Sequence, residues 1–135
     1  MSKSAIYVAN TTTQEVPVDG LINPGNTVRR FGCNIKQIND SINLSGVGYY
    51  DLDASFTVVP SAEGEVTINA LRDGSVIPGA TATETAAAAG DSVNLSISAL
   101  VREYCPCCDS SSTVTFVLSG VASSITNVSI VIKKL

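Results

Sequence analysis

The chain has 135 residues, a net charge of −4, four cysteines, and neither histidine nor tryptophan. Charged residues make up 15% and mean hydropathy is +0.28, where a typical soluble domain carries about 25% charge. That length suits one domain with its own core; no apolar run approaches the roughly 20 residues of a membrane-spanning helix; and two isolated basic pairs, Arg29-Arg30 and Lys133-Lys134, are no nucleic-acid footprint.

Val, Ile, Leu, Thr and Ser dominate, and helix formers are scarce, so strands are expected throughout. Residues 5–9 form a short alternating strand that 10–13 break. Residues 15–18 are a second short strand, and Asp19-Gly20 and Asn23-Pro24-Gly25-Asn26 are turns. Residues 27–31 read as a strand, 35–40 are ambiguous, and 42–44 are a short strand.

The clearest segment is 49–59. Tyr50, Leu52, Ala54, Phe56 and Val58 fall on one face, with Asp51, Asp53 and Ser55 on the other. Such alternation marks a half-buried antiparallel strand. Val66, Ile68 and Ala70 repeat it up to an Asp73-Gly74 hairpin turn. The return strand is broken at Pro78-Gly79 and continues along an edge, because proline cannot sit in a central ladder. Residues 85–90 read as a loop with at most one helical turn. Val93, Leu95 and Ile97 alternate next, and a cysteine-rich loop spans 105–112. Val114, Phe116 and Leu118 form one strand, 120–127 connect, and Ile130 and Ile132 point inward from the last strand. Eight to ten strands, with turns every 8–12 residues, make an antiparallel sandwich.

Without histidine, the common acid–base machinery, serine triads and histidine metal ligands are absent. No nucleotide-binding or nucleophile-elbow motif occurs. No enzymatic activity and no cofactor are expected, and Cys33 has no histidine to activate it. Asp51 and Asp53 could offer oxygens to calcium, but further ligands cannot be placed. Solvated carboxylates are the plainer reading. Five Asn-x-Ser/Thr sequons follow from the abundance of those residues.

Cys105 and Cys108 have the spacing of zinc and redox sites, with Cys107 between them. A structural zinc takes four ligands, so Cys33 or a second subunit would complete the set. A redox motif belongs at a helix start, whereas this one follows a strand. Disulfide, free thiols and metal stay open. Cys33 to one of the other three is the expected intrachain bridge, with clustering between subunits as the alternative.

Low charge also points to subunit contact, since obligate interfaces resemble a core cut in half. Leu71, Leu100, Val117 and Val131 stand on nominally outward positions and are the interface candidates.

Gly48-Tyr49-Tyr50 opens the long strand, Leu71-Arg72-Asp73-Gly74 closes the next, and Gly90-Asp91-Ser92-Val93 leads into another. This pattern resembles the jelly-roll heads of tumour necrosis factor and the complement globular domains. The N-terminal Ser2-Lys3-Ser4-Ala5-Ile6-Tyr7, with Arg29-Arg30-Phe31-Gly32-Cys33-Asn34, is similar to small proteins encoded by phages and prophages of gut Firmicutes. The resemblances imply an all-β antiparallel sandwich of jelly-roll topology. It is a single domain over 1–135, with N-terminal strands and loop in 1–34 and the main sandwich in 42–135. They also imply three-fold closure and a virion surface role, as head decoration or fibre head, beside capsid or other virion proteins. The opening residues lack an apolar signal-peptide core, so synthesis in the host cytoplasm is expected. Neither a membrane nor a nucleic-acid partner is expected. The competing reading is a module that binds a surface glycan or receptor through loop 81–91 and the cysteine loop.

Overall fold

The computed structural model describes residues 4–103 and 111–135. Among the described residues eleven strands run in order: β1 (Ala5–Asn10), β2 (Gln14–Val16), β3 (Asn26–Phe31), β4 (Ile35–Ile38), β5 (Ser41–Ser45), β6 (Gly48–Pro60), β7 (Gly64–Arg72), β8 (Ser75–Ala86), β9 (Val93–Glu103), β10 (Ser111–Gly120) and β11 (Ser123–Lys134). They form two antiparallel sheets. One has the order β3-β1-β11-β6-β9, with β2 joined to β11; the other is β4-β5-β10-β7-β8. From β5 onward the chain crosses between sheets at every connection except the β7–β8 hairpin, which gives the jelly roll.

The alternation seen in the sequence sets the register. Tyr50, Leu52, Phe56, Val58, Val66, Ile68, Leu95, Ile97, Val114, Phe116, Leu118, Ile130 and Ile132 are buried between the sheets, and Val93 is half-buried against them. A one-residue slip would expose each set. Phe56 of one sheet meets Phe116 of the other at 5.4 Å between ring centroids, tilted by 58°, so an aromatic pair bridges the two layers.

Several boundaries differ from the sequence reading. The ambiguous stretch 35–40 holds β4, which pairs with β5 through a turn at Asn39, φ 53°. The edge strand expected after Pro78-Gly79 is β8, which runs on to Ala86, so the first half of the proposed binding loop 81–91 is strand. Around Pro78-Gly79 it bulges away from β7, whose register shifts between Asn69 and Leu71. Proline's missing N–H is tolerated there because the edge needs no second ladder. The supposed connection 120–127 contains the first half of β11. Ser123 and Ile125 are buried, then Val128, Ile130 and Ile132. The change of parity is a β-bulge, with Ile125 opposite Val58 and Asn127 opposite Thr57. The extra residue, Thr126, hides the period of two.

The polar end of the sandwich is tied by a small network. Ser4 Oγ donates to Asn34 Oδ1 at 3.0 Å, and Asn34 Nδ2 donates to the Ser45 carbonyl at 2.7 Å. The buried Tyr50 hydroxyl lies 2.8 Å from the carbonyl oxygens of Ser45 and Gly46. Burial, then the nearby Glu103 carboxylate, pushes Tyr50 up to about 12. Arg72 reaches the buried Glu103 at 3.4 Å. These bonds satisfy polar groups that the core would otherwise strand.

Candidate assembly surface

Strands β6, β9, β11 and β1 bury every second side chain, so the alternate ones form an outer face. Antiparallel partners share that face, and the register therefore maps it in rows. One row is small and polar: Ala9, Ser129, Ser55 and Ser96. The next carries Arg29, Tyr7, Val131, Asp53 and Ser98; the row beyond it carries Phe31, Ala5, Lys133, Asp51 and Leu100. Tyr49 and Arg102 close the end, with the guanidinium 5.8 Å from the ring centroid.

Shape follows from these side chains. Serines in the middle leave a shallow depression of about 310 Å³ bordered by Asp53, Ser55, Ser96, Ser98, Ser129 and Val131. Toward β3 lies a smaller groove, about 140 Å³, lined by Ala5, Tyr7, Phe31 and Val131 together with Arg29, Arg30 and Lys133. At the opposite edge Leu100 stands 57% exposed, beside Val76 at 51% across the seam to β8. Phe31 is 60% exposed, and Tyr7 and Tyr49 also reach solvent. These apolar groups stand at the two edges of the face, Phe31 and Tyr7 toward β3 and Leu100 at β9, with small and charged side chains between them.

The four interface candidates do not share a face. Leu100 and Val131 lie on this one. Leu71 and Val117 lie on the outer face of the other sheet, both half-buried. Val117 is bridged there by Leu21, and Leu71 sits opposite Val76 and Thr115. Tyr7, Phe31 and Tyr49 were not singled out from the sequence. Their signal was available as the outward parity of β1 and β6, but the parity of β3 is masked by the irregularity in its pairing with β1.

The carboxylates of the sequence reading lie on this face too. Asp53 accepts a hydrogen bond from Ser98 Oγ at 2.8 Å, and Asp51 stands opposite Lys133. No group of three or more potential ligands converges among the described residues. Cys33 is an exposed thiol in the turn between β3 and β4. Cys105, Cys107 and Cys108 lie outside the described residues, as does most of the cysteine-rich loop. A cleft of about 420 Å³ lies at the other end of the sandwich, lined by Glu15, Val16, Pro17, Ser61, Ala122, Ser123 and Ser124. Two of its hydroxyls are already spent on backbone carbonyls: Ser61 on Ala122, and Ser123 on Val121.

No family model and no curated protein matches the sequence. Solved structures do match in three dimensions. Murine APRIL superposes with a TM-score of 0.75 at 9% identity, covering 98% of this chain and 99% of that one. PRD1 vertex protein P5 gives 0.65 at 17% identity, covering 98% and 96%. The globular domain of zebrafish complement 1qA protein gives 0.63 at 11%, covering 97% and 94%. The fold is thus the jelly roll of the tumour necrosis factor and complement globular heads, matched over nearly the whole chain by proteins with little sequence in common.

Proposed function

We propose that this protein is a non-enzymatic structural component of a phage virion, a head-decoration or fibre-head protein that closes into a homotrimer through the outer face of its β3-β1-β11-β6-β9 sheet. The observation that carries the reading is that face itself. Small serines at its centre allow close approach, and exposed Leu100, Phe31, Tyr7 and Tyr49 surround them. On a chain with only 15% charged residues, burying such a surface against identical copies relieves a solubility problem that a monomer would retain.

The fold match to a vertex protein supports placement on a virion. The absence of histidine in the sequence supports a role without acid–base chemistry. Three copies, rather than the commoner two, is the closure implied by the family resemblance. The test of the virion role is quantitative mass spectrometry of purified particles. A fixed copy number per virion, in multiples of three, is expected; absence from particles while the protein accumulates in the infected cell would refute the role.

A further inference from the structure

We infer that Arg72 is a positioning residue: it ties β9 to β10 across the gap between the sheets, so that residues 104–110 are carried on a mount whose two sides are fixed to each other. The two strands share no ladder. β9 ends at Glu103 as the edge of one sheet, and β10 begins at Ser111 in the middle of the other. The base of such a crossing can splay unless a side chain joins its two ends. Arg72, the last residue of β7, makes that join. Its Nε donates to Ser112 Oγ at 2.9 Å, and its Nη2 lies 3.4 Å from Glu103 Oε1.

The surroundings suit a fixed tie. Glu103 and Ser112 are both buried, and a carboxylate withdrawn from water holds a charged donor more firmly than one in solvent. The planar guanidinium presents its donors as a rigid fork, so it can serve two acceptors at once; an ammonium on a flexible stem lacks that geometry. Arg72 is itself anchored. It stands opposite Val114 of β10 and Ser75 of β8. The next residue, Asp73, donates its N–H to the Thr113 carbonyl at 2.9 Å and accepts the Thr113 N–H on Oδ1 at 2.9 Å. Asp73, φ 51°, and Gly74, φ 87°, form the tight turn that brings these groups together, as an Asp-Gly pair favours. The β7–β8 turn therefore grips β10 through backbone and side chain and passes the grip to β9 through Arg72. Any contact made from residues 104–110 then starts from strands already held in place, which lowers the ordering cost of making it.

Amide hydrogen–deuterium exchange of the full chain tests the tie, because it reads each strand separately and works whatever the state of the cysteines. Arg72→Met keeps the bulk of the side chain and removes the fork. It should speed exchange at both 101–103 and 111–113 by roughly tenfold or more, while 52–58 and 66–70 keep their native rates. Equal acceleration of all these segments would reduce Arg72 to a contributor to global stability and overturn the inference. Ser112→Ala removes only one neutral hydroxyl and serves if Arg72→Met does not fold. It should still speed exchange at 101–103, in the sheet to which Ser112 does not belong. Native exchange there would overturn the tie. Arg72→Lys keeps the charge without the fork and should loosen at least one of the two flanks; native rates at both would overturn the role given to the guanidinium.

Discussion

Tyr50 shows how a single side chain couples the core to the polar end of the sandwich. Its ring is fully buried, and its hydroxyl reaches the Ser45 and Gly46 carbonyls. Because the folded state raises its pKa from 10.0 to about 12, the folded state holds this proton more tightly than the unfolded chain does. The corresponding stability is complete below pH 10 and is lost as pH rises from 10 to 12. Thermal unfolding followed across that window should show a fall in midpoint that Tyr50→Phe reduces. At neutral pH the same substitution should cost about 1 kcal/mol, for the lost hydrogen bond. An unchanged alkaline slope in Tyr50→Phe would assign the effect to another group. Glycine offers a second contrast at this scale. Gly120 has φ 94°, and a Cβ there would run into the Glu65 backbone carbonyl; Gly90 has φ 88° with nothing near. Urea unfolding should therefore find Gly120→Ala costing roughly 2 kcal/mol or more, and Gly90→Ala only the backbone strain of about 1. Equal losses would mean that the close approach is not present in solution.

Strand β11 is the element whose irregularity matters most. Ile125 pairs with Val58 and Asn127 with Thr57, leaving Thr126 outside the ladder. Removing Thr126 preserves every pairing and every facing, so a deletion variant should fold with a modest loss of midpoint. Deleting Ser129, even with Thr126 drawn into the ladder, turns Val128 outward and Asn127 inward and should cost several times more in midpoint. If both deletions melted alike, the bulge would not be where the register places it. The same bulge explains why half of this strand was illegible. Two apolar series of opposite parity, 123–125 and 128–132, look like a loop followed by a strand when only one period is sought. By contrast β6, β7, β9 and β10 are regular, and their inward residues were readable one by one. β4 was obscured by Lys36 and Gln37 among its few residues, whereas the proline of β8 itself marked that strand as an edge, and only its run to Ala86 was missed. In both cases tertiary pairing completes what local composition leaves undecided.

At the scale of the molecule, the two outer faces can be told apart only once the sheet order is known. Sequence parity marked Leu71, Leu100, Val117 and Val131 as outward, but parity cannot say which sheet a strand joins. The split of these four between opposite faces is set by topology, through contacts far apart in the chain. On the β7 and β8 side, Thr67 and Thr83 hydrogen-bond each other and Thr81 donates to Asn69, as Ser98 does to Asp53 on the other face. The β6 and β9 face carries the exposed leucine, tyrosines and opposed charges. If three copies close through it, each should bury on the order of 800 Å² or more.

Size-exclusion chromatography coupled to light scattering, at micromolar protein, addresses the central claim most directly. The account predicts one species with three times the 13.9 kDa chain mass, stable on dilution across at least a tenfold range of concentration. A single species of 13.9 kDa that stays monomeric and soluble on concentration would contradict it.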